Sequence, residues 1–265
     1  MSTLRFSRKQ LCVPYALFLI CFVVAPLIVI IYYAFTNGEG QFSLENLTGF
    51  FTSPNTIGTL AYSFAIACVS TAAALLLAYP IAYILARSEW KKKSIIVMIF
   101  VLPMWINFTL RLTALKEVLT LIEHNLAYYP FLNSVIGMVY DFLPFMILPL
   151  YNSMNKISAD VIDAARDLGA NQLQVFIKII MPLTISGVLS GIIMVFVPAL
   201  TSFVISNLLG GGKVLLIGNV IEQEFMQNMD WHMGSGLSIV LMIFVIASMA
   251  FMNSHNKDGE GTAVW

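Results

Sequence analysis

Two ionisable side chains stand inside apolar runs, where an uncompensated charge is expensive and is by default a functional candidate. Asp141 lies in "VYDFLPF" (139–145) and Arg111 in "LPMWINFTLRLTALKEVL" (102–119). A carboxylate beside aromatic faces suits an organic ammonium, held by charge and by cation–π attraction. Tyr140, Asp141 and Phe145 can supply both from one segment. Trp105 and Asn107 can add an aromatic wall and a polar handle from another. The competing reading is that Asp141 pairs with Arg111 and only fixes packing. Glu222, with Glu224, is a candidate for an acidic outer vestibule, against a plain solvated loop face.

The remaining chemistry does not lead to catalysis. There is no G-x-S-x-G turn and no H-E-x-x-H helix. His124, His232 and His255 fall near the ends of apolar runs or in loops, and Cys12, Cys21 and Cys68 lack metal-ligand spacing. The cysteines read as small buried apolar residues. "GGGKV" (210–214) looks briefly like a nucleotide loop, but that motif needs a hydroxyl after the lysine and a glycine five positions before the last one. Val214 and Asn207 stand in those places. A turn is expected there, with the lining of an outer gate as the alternative. No catalytic residue, metal or cofactor is expected in this chain.

The elements that must hold these residues are membrane helices. Of 265 residues 59% are apolar and 11% charged, with mean hydropathy +0.85. Soluble domains run at about 25% charged. The expected class is all-α, a polytopic membrane protein. The formal net charge is zero, which gives no general case for a nucleic-acid partner. Six runs are long enough to cross the hydrocarbon core, at about 20 residues each. They are roughly 12–35, 57–86, 94–115, 131–152, 184–208 and 234–253. Gln10 to Gly38 holds no charged residue over 29 positions, too long for a signal-peptide core, so a retained first span is expected.

Lys and Arg placement gives the orientation. With the N-terminus inside, the inner segments hold Arg5, Arg8, Lys9, Arg87, Lys91, Lys92, Lys93, Lys156, Arg166, Lys178 and Lys257, which is 11 of 14. Both termini are then cytoplasmic. Gly187 and Gly191, flanked by Ser186 and Ser190, form a small-residue face that suits close helix packing, within the subunit or against a second one.

The longest inner excursion, 156–182, reads as two short helices. Ser158 is placed to cap the first, with Asp160 in its first turn. Ile157, Val161, Ala164, Ala165 and Leu168 share its apolar face. Gly169 ends it, and Asn171 with Gln174 makes a capping-box pattern for the second. Pro182 is expected to open the fifth span. Physically this is either an amphipathic hairpin lying on the membrane surface or a dock for a cytoplasmic partner.

The stretch resembles the EAA loop of binding-protein-dependent ABC importer permeases, E-A-A-x-x-x-G-x9-I-x-L-P. The matching positions are Asp163, Ala164, Ala165, Gly169, Ile179, Met181 and Pro182, with Asp163 for the usual Glu and Met181 for the usual Leu. "LPMWINFTLRLTALKEVL" (102–119), "LPFMILPLYNSM" (143–154) and "SNLLGGGKVLLIGNVIEQEF" (206–225) are similar to the permeases of spermidine/putrescine importers within that family. The resemblance implies a type I importer permease fold in a single transmembrane domain, with 156–182 as a cytoplasmic coupling loop. It implies a homologous second permease, an ATPase dimer that uses ATP and Mg, and an extracytoplasmic polyamine-binding protein. Alternating access driven by ATPase closure is the implied mechanism. An importer permease for another small solute, and an ATP-independent carrier or scaffold, are the alternatives.

Overall fold

The computed structural model describes residues 8–52, 54–88 and 92–254. Among the described residues the chain is helical, with one isolated bridge between Thr36 and Phe42 outside the helices. Four helices are long and apolar enough to cross a membrane: Cys12–Ala34 (α1), Thr56–Arg87 within α3, Pro130–Asn155 (α6) and Trp231–Met252 within α12. Two further pairs qualify when each is counted as one bent span, so six crossings are available. The shorter α2 is Glu45–Thr52, and α3 and α12 run in full over Pro54–Arg87 and Trp231–Ser254.

The expected third span, 94–115, is not one continuous helix. Lys93–Val101 (α4) tightens into a turn at Leu102–Trp105, and Phe108–Glu123 (α5) leaves at 95° to it. Pro103 cannot donate to the preceding turn. Asn107 then starts a new helix, its side-chain oxygen accepting from the amides of Thr109 (3.0 Å) and Leu110 (3.3 Å). The expected fifth span, 184–208, is broken as well. Ala159–Asp167 (α7) and Gln172–Leu183 (α8) form the excursion, and Ile185–Thr201 (α9) bends 62° from α8. Ser202 is extended, and Phe203–Leu209 (α10) follows it. Pro182 therefore does not open the span. It sits in the last turn of α8, just before the 62° bend that joins α8 and α9 as the two halves of the bent span.

Two prolines have a shared local solution. The turn Ile20–Val24 before Pro26 and the turn Phe176–Ile180 before Pro182 are both widened, with Ala25 N–H reaching Ile20 O and Met181 N–H reaching Phe176 O. A widened turn accommodates the carbonyl that a proline ring would crowd. At Pro26 the helix continues to Ala34, whereas beyond Pro182 it ends at Leu183, before the 62° bend.

Contacts divide the chain into two compact units. The larger runs over Gly58–Val220 and continues from Val245. Its core lies along α6, where Met138, Met146, Ile147, Leu150 and Met154 are fully buried. Gly187 and Gly191 make the contact between α6 and α9. A Cβ at 187 would lie 2.5 Å from Ser153 Cβ and 2.8 Å from Pro149 O, and one at 191 would lie 2.6 Å from Met146 Sδ. The small-residue face is thus occupied within the subunit, by the close backbone approach that drives helix association in lipid. The "GGGKV" turn is built rather than loose. Gly211 (φ +57) lies against Ala127, Lys213 Nζ donates to Ala127 O at 3.0 Å, and Ser206 Oγ donates to Val214 O at 2.7 Å. Ile217–Met226 (α11) follows, its first amide donating to Ser63 Oγ at 2.8 Å.

The smaller unit takes residues up to Ile57 with Ile221–Phe244. Asn46 Nδ2 reaches the carbonyls of Tyr33, Ala34 and Thr36 at the end of α1, between 2.9 and 3.4 Å. Tyr33 packs against Trp231 and His232. Cys12, Cys21 and Cys68 are exposed on helix surfaces, not buried as the sequence suggested. In a bilayer the surrounding solvent is itself apolar, so a small apolar side chain gains little by turning inward.

Candidate functional site

Two arrangements carry chemistry, both within the larger unit. The first is the excursion between α6 and α9. Ser158 occupies the cap position of α7 in extended conformation, without a side-chain cap bond, and Asp160 stands in the first turn. Asp163 and Arg166 form an exposed ion pair at 3.3 Å, which adds little stability in water. The helix ends in a Schellman motif: Gly169 N–H donates to Arg166 O (2.8 Å) and Ala170 N–H to Ala165 O (3.0 Å). Gly169 takes φ +84, the left-handed region that favours glycine. Asn171 and Gln174 close a complete capping box at 2.8 and 2.9 Å.

The apolar face of α7 divides differently from its helical periodicity. Ala165 turns inward with Ile162, which the sequence reading did not single out, and both join Val175 and Ile180 in a small core. Val161, Ala164 and Leu168 turn outward, and Leu168 is 90% exposed. Leu173 and Ile177 of α8 are exposed too. Ala164 lies on this open side; Asp163 is exposed at the rim of the groove that Tyr83, Arg87 and Ile162 also line, Gly169 is exposed at the end of α7, and Pro182 lies at the far end of α8. Exposed apolar side chains among charges suit either a protein partner or the membrane surface.

The second arrangement is a cavity of about 400 Å³ where the two broken crossings meet α6. Arg111 of α5 and Asp141 of α6 are ion-paired there, both buried. Phe108, Phe142, Phe145 and Phe203 line it with Pro198, Thr201 and Ser202. Arg111 Nε is buried with no hydrogen-bond partner. The breaks at Asn107 and Ser202 flank the cavity, so it receives the amino ends of α5 and α10 and the carbonyl end of α9. Such helix ends carry partial charges of opposite sign and are natural sites for charged groups. A mixed lining of this kind can hold an ammonium at the carboxylate and the carbonyl end.

Of the sequence candidates, Asp141 and Phe145 line this cavity. Trp105 (76% exposed) and Tyr140 (45% exposed) are not among the residues that line it. The side-chain oxygen of Asn107 is committed to capping α5. Glu222 lies on α11 in the smaller unit. Sequence reading missed Phe108, Phe142, Phe203 and Ser202. The usable signal was Pro103 followed by Asn107, a stop and a cap inside one apolar run.

Residues 78–255 match a family described as binding-protein-dependent transport system inner membrane component. The spermidine/putrescine transport system permease protein PotB of Escherichia coli K12 is 36% identical over 245 residues, 85% of this chain and 89% of that protein. The Haemophilus influenzae PotB is 35% identical over 247 residues, 86% of each chain. In fold, the chain resembles a bacterial ABC transporter involved in import of the acidic polysaccharide alginate, at TM-score 0.72 and 14% identity, covering 96% of both chains. The same holds for a bacterial alginate ABC transporter in complex with an alginate pentasaccharide-bound periplasmic protein, at TM-score 0.71 and 12% identity, covering 93% of this chain and 92% of that one. Broken crossings, an exposed helical excursion and a match over more than half the sequence agree: the chain belongs to the binding-protein-dependent transport system inner membrane components, multi-pass permeases of ABC importers, which are not themselves enzymes.

Proposed function

We propose that this permease carries polyamines, spermidine or putrescine, inward across the membrane. The observation that supports this most is 35–36% identity to polyamine permeases along nearly the whole chain. The excursion 156–182 faces the cytoplasm, with both termini, and its open face docks on an ATPase dimer. That dimer uses ATP and Mg; this chain contributes neither ATPase motif nor cofactor. A homologous second permease completes the pathway, and an extracytoplasmic polyamine-binding protein delivers the solute. Closure of the ATPases moves the helices as rigid bodies and alternates access.

Asp141 is the residue assigned to the solute. In the structure its charge is balanced by Arg111. A solute ammonium joins the pair at the carboxylate oxygen that Arg111 does not engage, so neither buried charge is left alone. Phe142 and Phe145 supply ring faces to the cation. The test is a solute panel with the assembled complex. Spermidine- and putrescine-loaded binding protein is expected to stimulate ATP hydrolysis. Stimulation by other loaded proteins alone would reject the substrate and spare the class.

A second reading has its own observation. Arg111 and Asp141 share one cavity, so its formal charge is balanced. Another small solute with both charges would be served equally well. Asp141→Asn separates the two: loss of polyamine uptake in an assembled complex supports the first reading, and unchanged uptake removes Asp141 from the pathway.

A further inference from the structure

One helix grips the 156–182 excursion at three places. Tyr79, Tyr83 and Arg87 stand at i, i+4 and i+8 in the last turns of α3, on a single stripe. Arg87 holds the start of the excursion: Nη1 donates to Ile157 O and Nη2 to Met154 O, each at 3.1 Å. These carbonyls end α6 and precede α7, where a positive charge is favoured. Tyr83 and Tyr79 hold the middle. Their rings meet Phe176 of α8 edge-on, at centroid distances of 5.4 and 5.8 Å. Tyr83 also packs on the small core of Ile162, Ala165, Val175 and Ile180. Tyr79 holds the end, its hydroxyl 2.9 Å from Thr184 Oγ1. That oxygen donates to Ile180 O at 2.8 Å, at the 62° bend into α9.

None of these contacts uses the open face of Val161, Ala164 and Leu168. A force applied to that face therefore meets an excursion fixed to α3 at its start, middle and end. Edge-on ring pairs and charge-assisted hydrogen bonds resist sliding because each has a defined geometry. We infer that Tyr79, Tyr83 and Arg87 are positioning residues that make the excursion and the inner end of α3 one rigid body, so that ATPase motion enters the membrane through α3. This rests on the proposed docking of the ATPases on α7 and α8.

The experiment uses the full complex in proteoliposomes, with polyamine-binding protein outside and ATP inside. Three quantities are read: ATPase co-purification, ATP hydrolysed and spermidine taken up. Tyr83→Leu removes the ring and is expected to retain the ATPases while uptake per ATP falls about fivefold to tenfold, the low end of ordinary coupling between sites. Tyr83→Phe keeps the ring and is expected to stay near wild type. Arg87→Gln repeats the measurement at the start of the excursion, so a folding failure at one site leaves the other decisive. A wild-type ratio of uptake to hydrolysis in whichever of Tyr83→Leu and Arg87→Gln assembles would overturn the inference, as would an equal loss in Tyr83→Phe. Asp163→Arg tests the docking separately. If it releases the ATPases while the stripe variants keep a normal ratio, docking stands and the stripe is wrong. If it changes nothing, the docking reading is wrong.

Discussion

Burying a carboxylate and a guanidinium together avoids leaving either charge alone in low dielectric, and Asp141 with Arg111 does this beside a cavity. Asp141→Asn should leave the Arg111 charge uncompensated and destabilise the protein by about 3–5 kcal/mol. Thermal unfolding in detergent measures it. Asp141→Leu combined with Arg111→Met should recover most of that stability, because apolar replacement of a whole buried pair is close to neutral. Uptake should not recover, since the cation site is gone. Recovery of both would make the pair a packing device. The sequence marked Asp141 and Arg111 as the charges that matter and offered their pairing as one of two readings, and the structure pairs them. Pairing depends on how α5 and α6 are rotated, and α5 begins only where Asn107 caps it. For the same reason the sequence could not show that Tyr140 and Trp105, one residue before Asp141 and two before Asn107, are exposed outside the cavity lining.

At the scale of elements, the local signals were legible where backbone chemistry is strict. Gly169 and the Asn171–Gln174 box are where their residue types require. Nothing lies within 4 Å of a Cβ at Gly169, so only backbone strain opposes substitution. Gly169→Val should cost about 1–2 kcal/mol locally and lower uptake, while Gly169→Asn should be tolerated better, because Asn accepts the left-handed region. Transport assays on the two variants check the ordering. Gly187→Leu should force α6 and α9 apart, given the 2.5 Å approach to Ser153 Cβ, and lower the unfolding temperature. The two bent crossings were less legible. Composition is continuous through 94–115 and 184–208, and hydropathy responds to composition rather than to direction. The face of α7 was misdivided because periodicity over nine residues cannot say which side meets Tyr83.

For the whole molecule, composition alone required a membrane protein, since so little charge cannot cover a soluble surface. The fold and family follow from broken crossings and near full-length similarity. The sidedness rests on 11 of 14 basic residues falling on one side of the sequence-derived topology. A cysteine placed at Leu168, in a chain without its native three, should react with an impermeant thiol reagent only from the cytoplasmic side. It should be protected when the ATPases are bound. Reaction from the outside would invert the topology. The most direct measurement is uptake of labelled spermidine into proteoliposomes holding the complete complex, with ATP sealed inside and binding protein outside. Uptake is expected to require both and to stop with Asp163→Arg. Uptake that continues without ATP, or a complex that moves another solute but neither spermidine nor putrescine, would contradict a polyamine importer powered through the 156–182 excursion.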